Sequence, residues 1–311
     1  MNVGLFIAAG ILATTSRALS ASVGNTNSSW LEITLTNEAV ALAIYDPTTN
    51  ASGIHDVFLS TNLMMPDGWS WLARSAPGQT NLMVTNCPPA QGFFQLGITN
   101  AIRPGFTNYS LPPEDDDPSS LATLPLSINF YGTWYSNVWV NNNGNVTFDN
   151  PWPNYIPTPL IEVSIGIIAP YWADVDTRNL ASDVVQYGTN TVNGHAAFGV
   201  DWVNVGYYDT HADKLLSCQL VIIDRSDIAA GDFDLEFNYF KVQWEWGDAS
   251  VGDPPHTGFS DGGINDVELP GSGVEGAFMD TNVVTGLIYH SLNSPVPGRY
   301  LFFFRDGTSL P

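Results

Sequence analysis

The sequence has very little positive charge and almost no cysteine. Nine Lys and Arg residues stand against 31 Asp and Glu residues, which gives the 311-residue chain a formal net charge of −22. A nucleic-acid interface needs clustered basic side chains that displace counterions from phosphates, and an anionic membrane surface repels an acidic chain. The two cysteines also exclude a disulfide scaffold and a cysteine-rich metal module. We therefore exclude nucleic acid and anionic lipid as partners.

Long apolar runs are also missing, apart from a short one near the N-terminus. Residues 4–13 are uncharged and nearly all apolar, and the tripeptide Ala18-Leu19-Ser20 follows them. Ten residues span about 15 Å as a helix, which is half of the hydrocarbon core of a bilayer. We therefore predict a signal peptide over residues 1–21, although no Lys or Arg precedes Arg17. The alternative is a buried N-terminal helix. The prediction implies secretion, with no transmembrane segment in the mature chain.

Helical periodicity is nearly absent, and alternation of apolar and polar residues takes its place. Over residues 22–98, short alternating segments such as Leu31–Leu35 predict a small antiparallel β-sandwich. Residues 99–125 hold five prolines and the acidic run 114–117, a composition typical of a linker or a long surface loop. Alternation returns over residues 126–307. The predicted fold class is therefore all-β, with two antiparallel β-sandwich-like domains.

Two glycine-containing motifs predict turns or loops. Asn143-Gly144 separates two apolar segments and predicts a β-hairpin with a type I′ turn, because Asn and Gly tolerate positive φ. Residues 258–262 (GFSDG) fit the pattern of a hydrolase nucleophile elbow, which requires a strand before the serine and a helix after it. Neither element is predicted there, so we interpret this segment as a glycine-rich loop.

Six sequence blocks of the second domain resemble one known family. They include Phe130–Tyr135 (FYGTWY), Ala169–Arg178 (APYWADVDTR), Phe198–Tyr207 (FGVDWVNVGY) and Gly231–Tyr239 (GDFDLEFNY). In this order, over roughly residues 126–290, they resemble the nidogen-like (NIDO) extracellular domain. The resemblance implies an extracellular location, a role in adhesion and no catalytic residues. Residues 76–82 and 93–97 are similar to a small module of secreted bacterial proteins, so we expect a secreted bacterial member of the family.

Two rows of carboxylates form the candidate metal site. Asp174 and Asp176 are two residues apart, as are Asp232, Asp234 and Glu236, so each row projects from one face of an extended segment. Like charges held side by side repel one another unless a cation lies between them, and Ca²⁺ accepts carboxylate and carbonyl oxygens. We expect calcium as a cofactor at Asp174, Asp176, Asp232 and Asp234. The alternative is a solvated acidic surface with local ion pairs.

Tryptophans are the candidate ligand contacts. Trp152, Trp244 and Trp246 are predicted to contact a ligand, and Trp244 and Trp246 share one face if their strand is regular. Trp172 and Trp202 lie inside the family blocks and are predicted core residues. Cys87 and Cys218 lie in different predicted domains. Because Cys218 falls on an apolar strand face, it is predicted to be a buried thiol.

These patterns predict a secreted, non-catalytic adhesion or surface-binding protein that acts in cell–matrix or cell-surface attachment. Its partner would be an extracellular matrix protein, a cell-surface protein or a polysaccharide. A carbohydrate-binding, lectin-like module is the first alternative, since exposed tryptophans stack on sugars. An extracellular glycoside hydrolase is the second, because two carboxylates about 5–10 Å apart can cleave a glycosidic bond. A structural matrix component that self-assembles is the third.

Overall fold

The computed structural model describes residues 99–310 except residue 117, and seven shorter stretches before them: 6–7, 18–19, 30–35, 39–45, 54–60, 69–85 and 93–97. The chain divides into two compact units, Met1–Thr99 and Asn100–Pro311. Every regular element of the described residues is a β-strand, apart from the 3₁₀ helices Leu160–Glu162 and Leu287–Tyr289. The predicted all-β class is confirmed. No helix in the described part of the chain is long and apolar enough to cross a membrane.

The described residues of unit 1 form two four-stranded antiparallel sheets. Its strands are β1 (Phe6–Ile7), β2 (Ala18–Leu19), β3 (Trp30–Leu35), β4 (Ala39–Tyr45), β5 (Asp56–Ser60), β6 (Ser70–Arg74), β7 (Asn81–Thr85) and β8 (Phe93–Gly97). The strand orders are β1-β8-β5-β6 and β2-β3-β4-β7. Leu42 and Ile44 of β4 are buried, as alternation requires. Apart from β1 and β2, the predicted signal peptide lies outside the described residues, and so does Cys87.

A buried ion pair joins β5 to β6 in unit 1. Arg74 donates from Nε and Nη2 to the two carboxylate oxygens of Asp56, at 2.8 and 2.9 Å. Trp71 Nε1 and the Thr99 N–H donate to the same carboxylate. Removing both charges from water is costly, and a cost of this kind is offset only when the donors and acceptors are paired in good geometry. Asp56 therefore has four donors to compensate for its burial.

Unit 2 contains fourteen strands in two antiparallel sheets. They are β9 (Tyr109–Ser110), β10 (Pro118–Phe130), β11 (Thr133–Asn141), β12 (Asn145–Thr147), β13 (Ile167–Trp172), β14 (Val175–Asp176), β15 (Gln186–Val192), β16 (His195–Tyr207), β17 (His211–Asp224), β18 (Phe233–Val242), β19 (His256–Ser260), β20 (Asp266–Glu268), β21 (Arg299–Arg305) and β22 (Thr308–Leu310). One sheet has the order β10-β11-β12-β13-β19-β20. The other has the order β22-β21-β18-β17-β16-β15-β9, and β14 also pairs with β16.

Aromatic side chains fill the space between these two sheets. Phe259 of β19 lies 5.2 Å from Phe302 and from Phe304 of β21, measured between ring centroids. Phe304 in turn stacks on Phe233 at 4.4 Å. Cys218 is fully buried in β17 and forms no disulfide with any described residue. The alternating apolar residues of the sequence therefore face the core of a two-sheet sandwich.

Residues 100–111 differ from the predicted linker, because they belong to unit 2 and cover one face of its eight-stranded sheet. We call these residues the strap. Phe106 is fully buried with Val192, Ala197, Val221 and Ile223, and β9 pairs with β15. Ala101 and Leu111 of the strap are also buried. These three buried residues are five positions apart, a spacing that shows neither the period of a strand nor that of a helix.

A buried polar network ties the strap to the sheet beneath it. Arg103 donates from Nε and Nη2 to the two oxygens of Glu236, at 2.6 and 2.8 Å. Gln219 accepts the Arg103 N–H and donates to its carbonyl oxygen. Gln219 also donates to Asp201 at 2.7 Å. Burial raises the pKa of Asp201 to about 7, against the opposing effect of that hydrogen bond.

Replacement of Phe106 tests whether the strap is part of the folded unit. We expect Phe106→Ala to lower the free energy of unfolding by about 3–5 kcal/mol, because it removes a fully buried aromatic ring. Tyr109→Ala is the control in the same strap, since Tyr109 is 64% exposed, and we expect it to cost less than about 1 kcal/mol. Urea unfolding followed by tryptophan fluorescence measures both. Equal, small effects would mean that the segment is a linker.

Asp201 makes the stability of unit 2 depend on pH. The unfolded carboxyl loses its proton near the ordinary pKa of 3.8, and the folded one near 7, so the free energy of unfolding falls between these pH values. Asp201→Asn removes this pH-dependent contribution to the free energy of unfolding. We expect the variant to be more stable than the wild type by roughly 1–3 kcal/mol at pH 8, and about as stable as the wild type at pH 3.5. Thermal unfolding across this range measures it. Asp213→Asn, at an exposed position, is the control, and a profile unchanged by Asp201→Asn would contradict the assignment.

Candidate functional site

Three segments of unit 2 meet beside the six-stranded sheet. They are residues 114–116, the turn at residues 142–144 and residues 173–176. Asn142 donates from Nδ2 to the carbonyl oxygen of Val175 at 2.7 Å and to that of Asp115. Asn143 donates to Asp116 Oδ1 at 2.9 Å, and its own Oδ1 accepts the Val175 N–H at 2.9 Å. The two asparagine side chains therefore join all three segments.

The predicted hairpin between β11 and β12 is confirmed, but its turn is not type I′. Asn141 pairs with Asn145, so the connection is the three residues 142–144. Of these, only Gly144 has a positive φ, of 74°, whereas a type I′ turn needs two such residues. Gly144 also lies against Tyr171, where a Cβ atom would overlap the carbonyl oxygen. The glycine is required by this close approach as well as by its φ angle.

Asp115, Asp116 and Asp174, which we call the acidic cluster, bring carboxylate oxygens within 4.8 Å of one another. Burial, followed by the charges of Asp116 and Asp176, raises the pKa of Asp115 to about 7. Burial also raises the pKa of Asp174 to about 6, against a hydrogen bond that its Oδ2 accepts from Ser250. The surroundings of the acidic cluster therefore compensate its negative charge only in part.

Asp176, the second member of its predicted row, is neutralised by an arginine. Its carboxylate accepts Arg178 Nε and the Thr210 N–H, each at 2.9 Å, as well as Arg178 Nη2. Burial acts to raise the pKa of Asp176, but the Arg178 hydrogen bonds outweigh it and hold this pKa below its ordinary value. Arg178 Nη2 also lies 3.1 Å from Asp115 Oδ2 and 3.8 Å from Asp209 Oδ1. One guanidinium thus serves three carboxylates.

Asp232 and Asp234, at the start of β18, do not join the acidic cluster. Asp234 accepts hydrogen bonds from Arg225 Nη1, at 2.9 Å, and from Arg305 Nη2. Arg305 Nε lies 3.8 Å from Asp232 Oδ2. Arg225 and Arg305 therefore compensate the charges of Asp232 and Asp234.

The sequence of unit 2 matches a known family. Residues 136–306 match the model of the nidogen-like domain. The chain belongs to this family. It is 30% identical to alpha-tectorin of Mus musculus over 222 residues, which are 61% of this chain and 10% of that protein. It is 27% identical to nidogen of Drosophila melanogaster over 220 residues, which are 62% of this chain and 15% of that protein. The match thus spans only a small part of either relative, and no solved structure matches.

One of the three tryptophans predicted to contact a ligand lies in the core. Trp172 and Trp202 are fully buried, as expected. Trp244 is also buried, because β18 ends at Val242 and the Trp244 indole turns inward. Its Nε1 donates to Val205 O at 3.2 Å. Trp152, half-buried, packs edge-on against Trp172, and Trp246 is also half-buried. Trp244 is therefore a core residue and not a ligand contact.

The GFSDG motif does not form a nucleophile elbow. A strand does precede the serine, contrary to the expected loop, because β19 ends at Ser260. Residues 261–265 then lead to β20, without the helix that the elbow requires. Ser260 is fully buried, and its Oγ accepts the Gly262 N–H at 3.1 Å. This serine therefore stabilises the turn between two strands.

Replacement of Gly144 tests the contact that positions the turn. We expect Gly144→Ala to lower the free energy of unfolding by more than about 3 kcal/mol, because the new Cβ would overlap Tyr171 O. Gly132→Ala is the control, since its φ of 89° is equally unfavourable but no atom lies within 4 Å of the new Cβ. We expect the control to cost about 1 kcal/mol. Urea denaturation of both variants measures the difference, and equal losses would contradict a packing role for Gly144.

Proposed function

We propose that the chain is a secreted, non-catalytic protein that attaches to an extracellular matrix protein, a cell-surface protein or a polysaccharide through its nidogen-like domain. The observation that carries this proposal is the family match over residues 136–306. It is supported by the relatives named alpha-tectorin and nidogen, which share this domain. A shared domain suggests a shared mode of recognition, and the ligand must be determined for this chain itself.

The charge of the surface next to the acidic cluster supports a basic partner. Asp209 and Asp248 expose 59% and 67% of their side chains. The Asp248 N–H donates to Tyr208 O, and the Tyr208 N–H donates to Asp174 O, so these residues border the cluster. Together with the net charge of −22, this acidic surface would attract and orient a partner that carries a basic patch.

The carbohydrate-binding alternative has a further candidate residue besides the half-buried Trp152 and Trp246. Among the tryptophans whose side chains the structure describes, only Trp134 of β11 is exposed, at 54%. An exposed indole is a surface on which a sugar ring could stack, and it is also a residue type enriched at protein–protein contacts. Trp134→Ala therefore separates retention that uses this ring from retention that depends on charge.

A retention assay with the full chain tests the proposed function. The chain is passed over immobilised collagen and laminin, and over insoluble cellulose and chitin, at low and high salt. We expect retention on a matrix protein and a loss of retention of tenfold or more in about 1 M salt, because exposed charges are screened at that ionic strength. The bound fraction and any soluble sugar released are measured.

The other results of this assay distinguish the alternatives or contradict the proposal. Salt-resistant retention on a polysaccharide alone, lost in Trp134→Ala, would identify a lectin-like module. Release of soluble sugars would identify a hydrolase. No retention on any of the four surfaces would contradict attachment to these ligand classes. Leu180→Ala, at a fully exposed apolar residue, is the matched control for Trp134→Ala.

A further inference from the structure

We propose that the acidic cluster of Asp115, Asp116 and Asp174, together with Asn142 Oδ1, binds a calcium ion. This site differs from the two predicted rows of carboxylates, and Asp174 is the one residue that they share. Calcium binding at this site is a property of the folded domain in solution. It therefore does not depend on which surface or partner the protein recognises.

The spacing of the three carboxylates suits a calcium ion. One oxygen from each of Asp115, Asp116 and Asp174 lies within 4.8 Å of the others. Ca²⁺ binds oxygens at about 2.3–2.6 Å, so two of its ligands are at most about 5 Å apart. Mg²⁺ is smaller, requires near-octahedral geometry and usually keeps several of its waters, so a site made of several protein oxygens is more typical of Ca²⁺. The three carboxylates are therefore close enough to share one calcium ion.

Asn142 is an independent sign of a ligand at this place. Its side chain is 1% exposed, and its Nδ2 donates to the carbonyls of Val175 and Asp115, on two of the segments that carry the carboxylates. Its Oδ1 is buried and accepts no hydrogen bond. A buried amide oxygen without a donor is costly, and amide oxygens are regular calcium ligands. The carboxamide thus lies against the backbone of two segments that carry the carboxylates, with its oxygen unused.

The oxygens of Asp115 and Asp174 divide between protein donors and the proposed ion. Asp115 Oδ2 faces Arg178, whereas Asp115 Oδ1 is buried and accepts no hydrogen bond. Asp174 Oδ2 accepts a hydrogen bond from the Ser250 hydroxyl, which fixes the carboxylate. The other oxygen, Oδ1, is left for the ion. Each of these two residues therefore retains one oxygen for a cation after its protein partner is counted.

The local charge balance also calls for a cation. Arg178 is committed to Asp176 through two hydrogen bonds, and it reaches Asp115 and Asp209 at longer distances. When Asp116 and Asp174 of the acidic cluster are added to these three, five carboxylates surround one guanidinium. A divalent ion would offset the excess, and it would connect residues 114–116 to residues 173–176 in addition to the two asparagines.

Calcium binding by the full chain tests the proposal. We expect the melting temperature of the wild type to rise by several degrees from EDTA to about 5 mM CaCl₂, and by much less in MgCl₂. We also expect isothermal titration to give one calcium per chain, with a Kd of roughly 10⁻⁵–10⁻³ M. No heat of binding and no calcium-dependent shift in the wild type would overturn the proposal, whether or not any variant folds.

Charge-neutral variants locate the ion. We expect Asp115→Asn and Asp174→Asn to lose at least ten-fold in calcium affinity, and Asp115→Asn to melt at a higher temperature than the wild type in EDTA, because it removes like-charge repulsion. Asp266→Asn, on β20, is the matched control and should keep the affinity of the wild type. Unchanged affinity in Asp115→Asn and Asp174→Asn would overturn the assignment of the site. Because these readouts are made in solution, they stand independently of the retention assay.

Discussion

The candidate site depends on the contact between the turn at residues 142–144 and the segment that follows β13. Two asparagine side chains and one glycine produce it: the asparagines hydrogen-bond to the backbone or side chains of residues 115, 116 and 175, and Gly144 lets the turn approach Tyr171. Asp115 and Asp174 are far apart in the sequence, and this contact, together with the hydrogen bonds between Glu114 and Thr177, makes them neighbours. The turn is therefore a structural requirement of the site as well as a connection between two strands.

The strands of the nidogen-like domain could be predicted because each one shows its own alternation of apolar and polar residues. Phe233, Leu235 and Phe237 alternate with acidic residues, and burial of one face follows directly from that period. The strap could not be predicted in this way. Its buried residues are too widely spaced for either regular element, and Arg103 finds Glu236 across 133 positions of sequence. Without knowledge of this distant partner, the prolines and acidic residues of the segment suggest a linker.

The candidate site was predictable in part, for the same reason. Asp174 was identified because it lies two residues from Asp176 in an extended segment, whereas Asp115 and Asp116 lie in the acidic run assigned to the linker. The charge of Asp234 was expected to need a cation, but which arginines reach it is decided by the loop before β18 and by β21. Trp244 was misplaced because the regular strand ends at Val242, after which parity no longer indicates direction.

The strap has a mechanical consequence for the nidogen-like domain. Arg299 of β21 donates to the carbonyl oxygen of Ala101, and Arg103 is paired with Glu236 on the neighbouring strand. The start of unit 2 is thus fastened to strands near its C-terminal end. A force that pulls residue 100 away from β21 would act on these few polar contacts first. The hydrogen bonds between β17 and β18 would bear it only afterwards. Peeling of the strap would then uncover Phe106 and its buried neighbours while the sandwich itself stays closed.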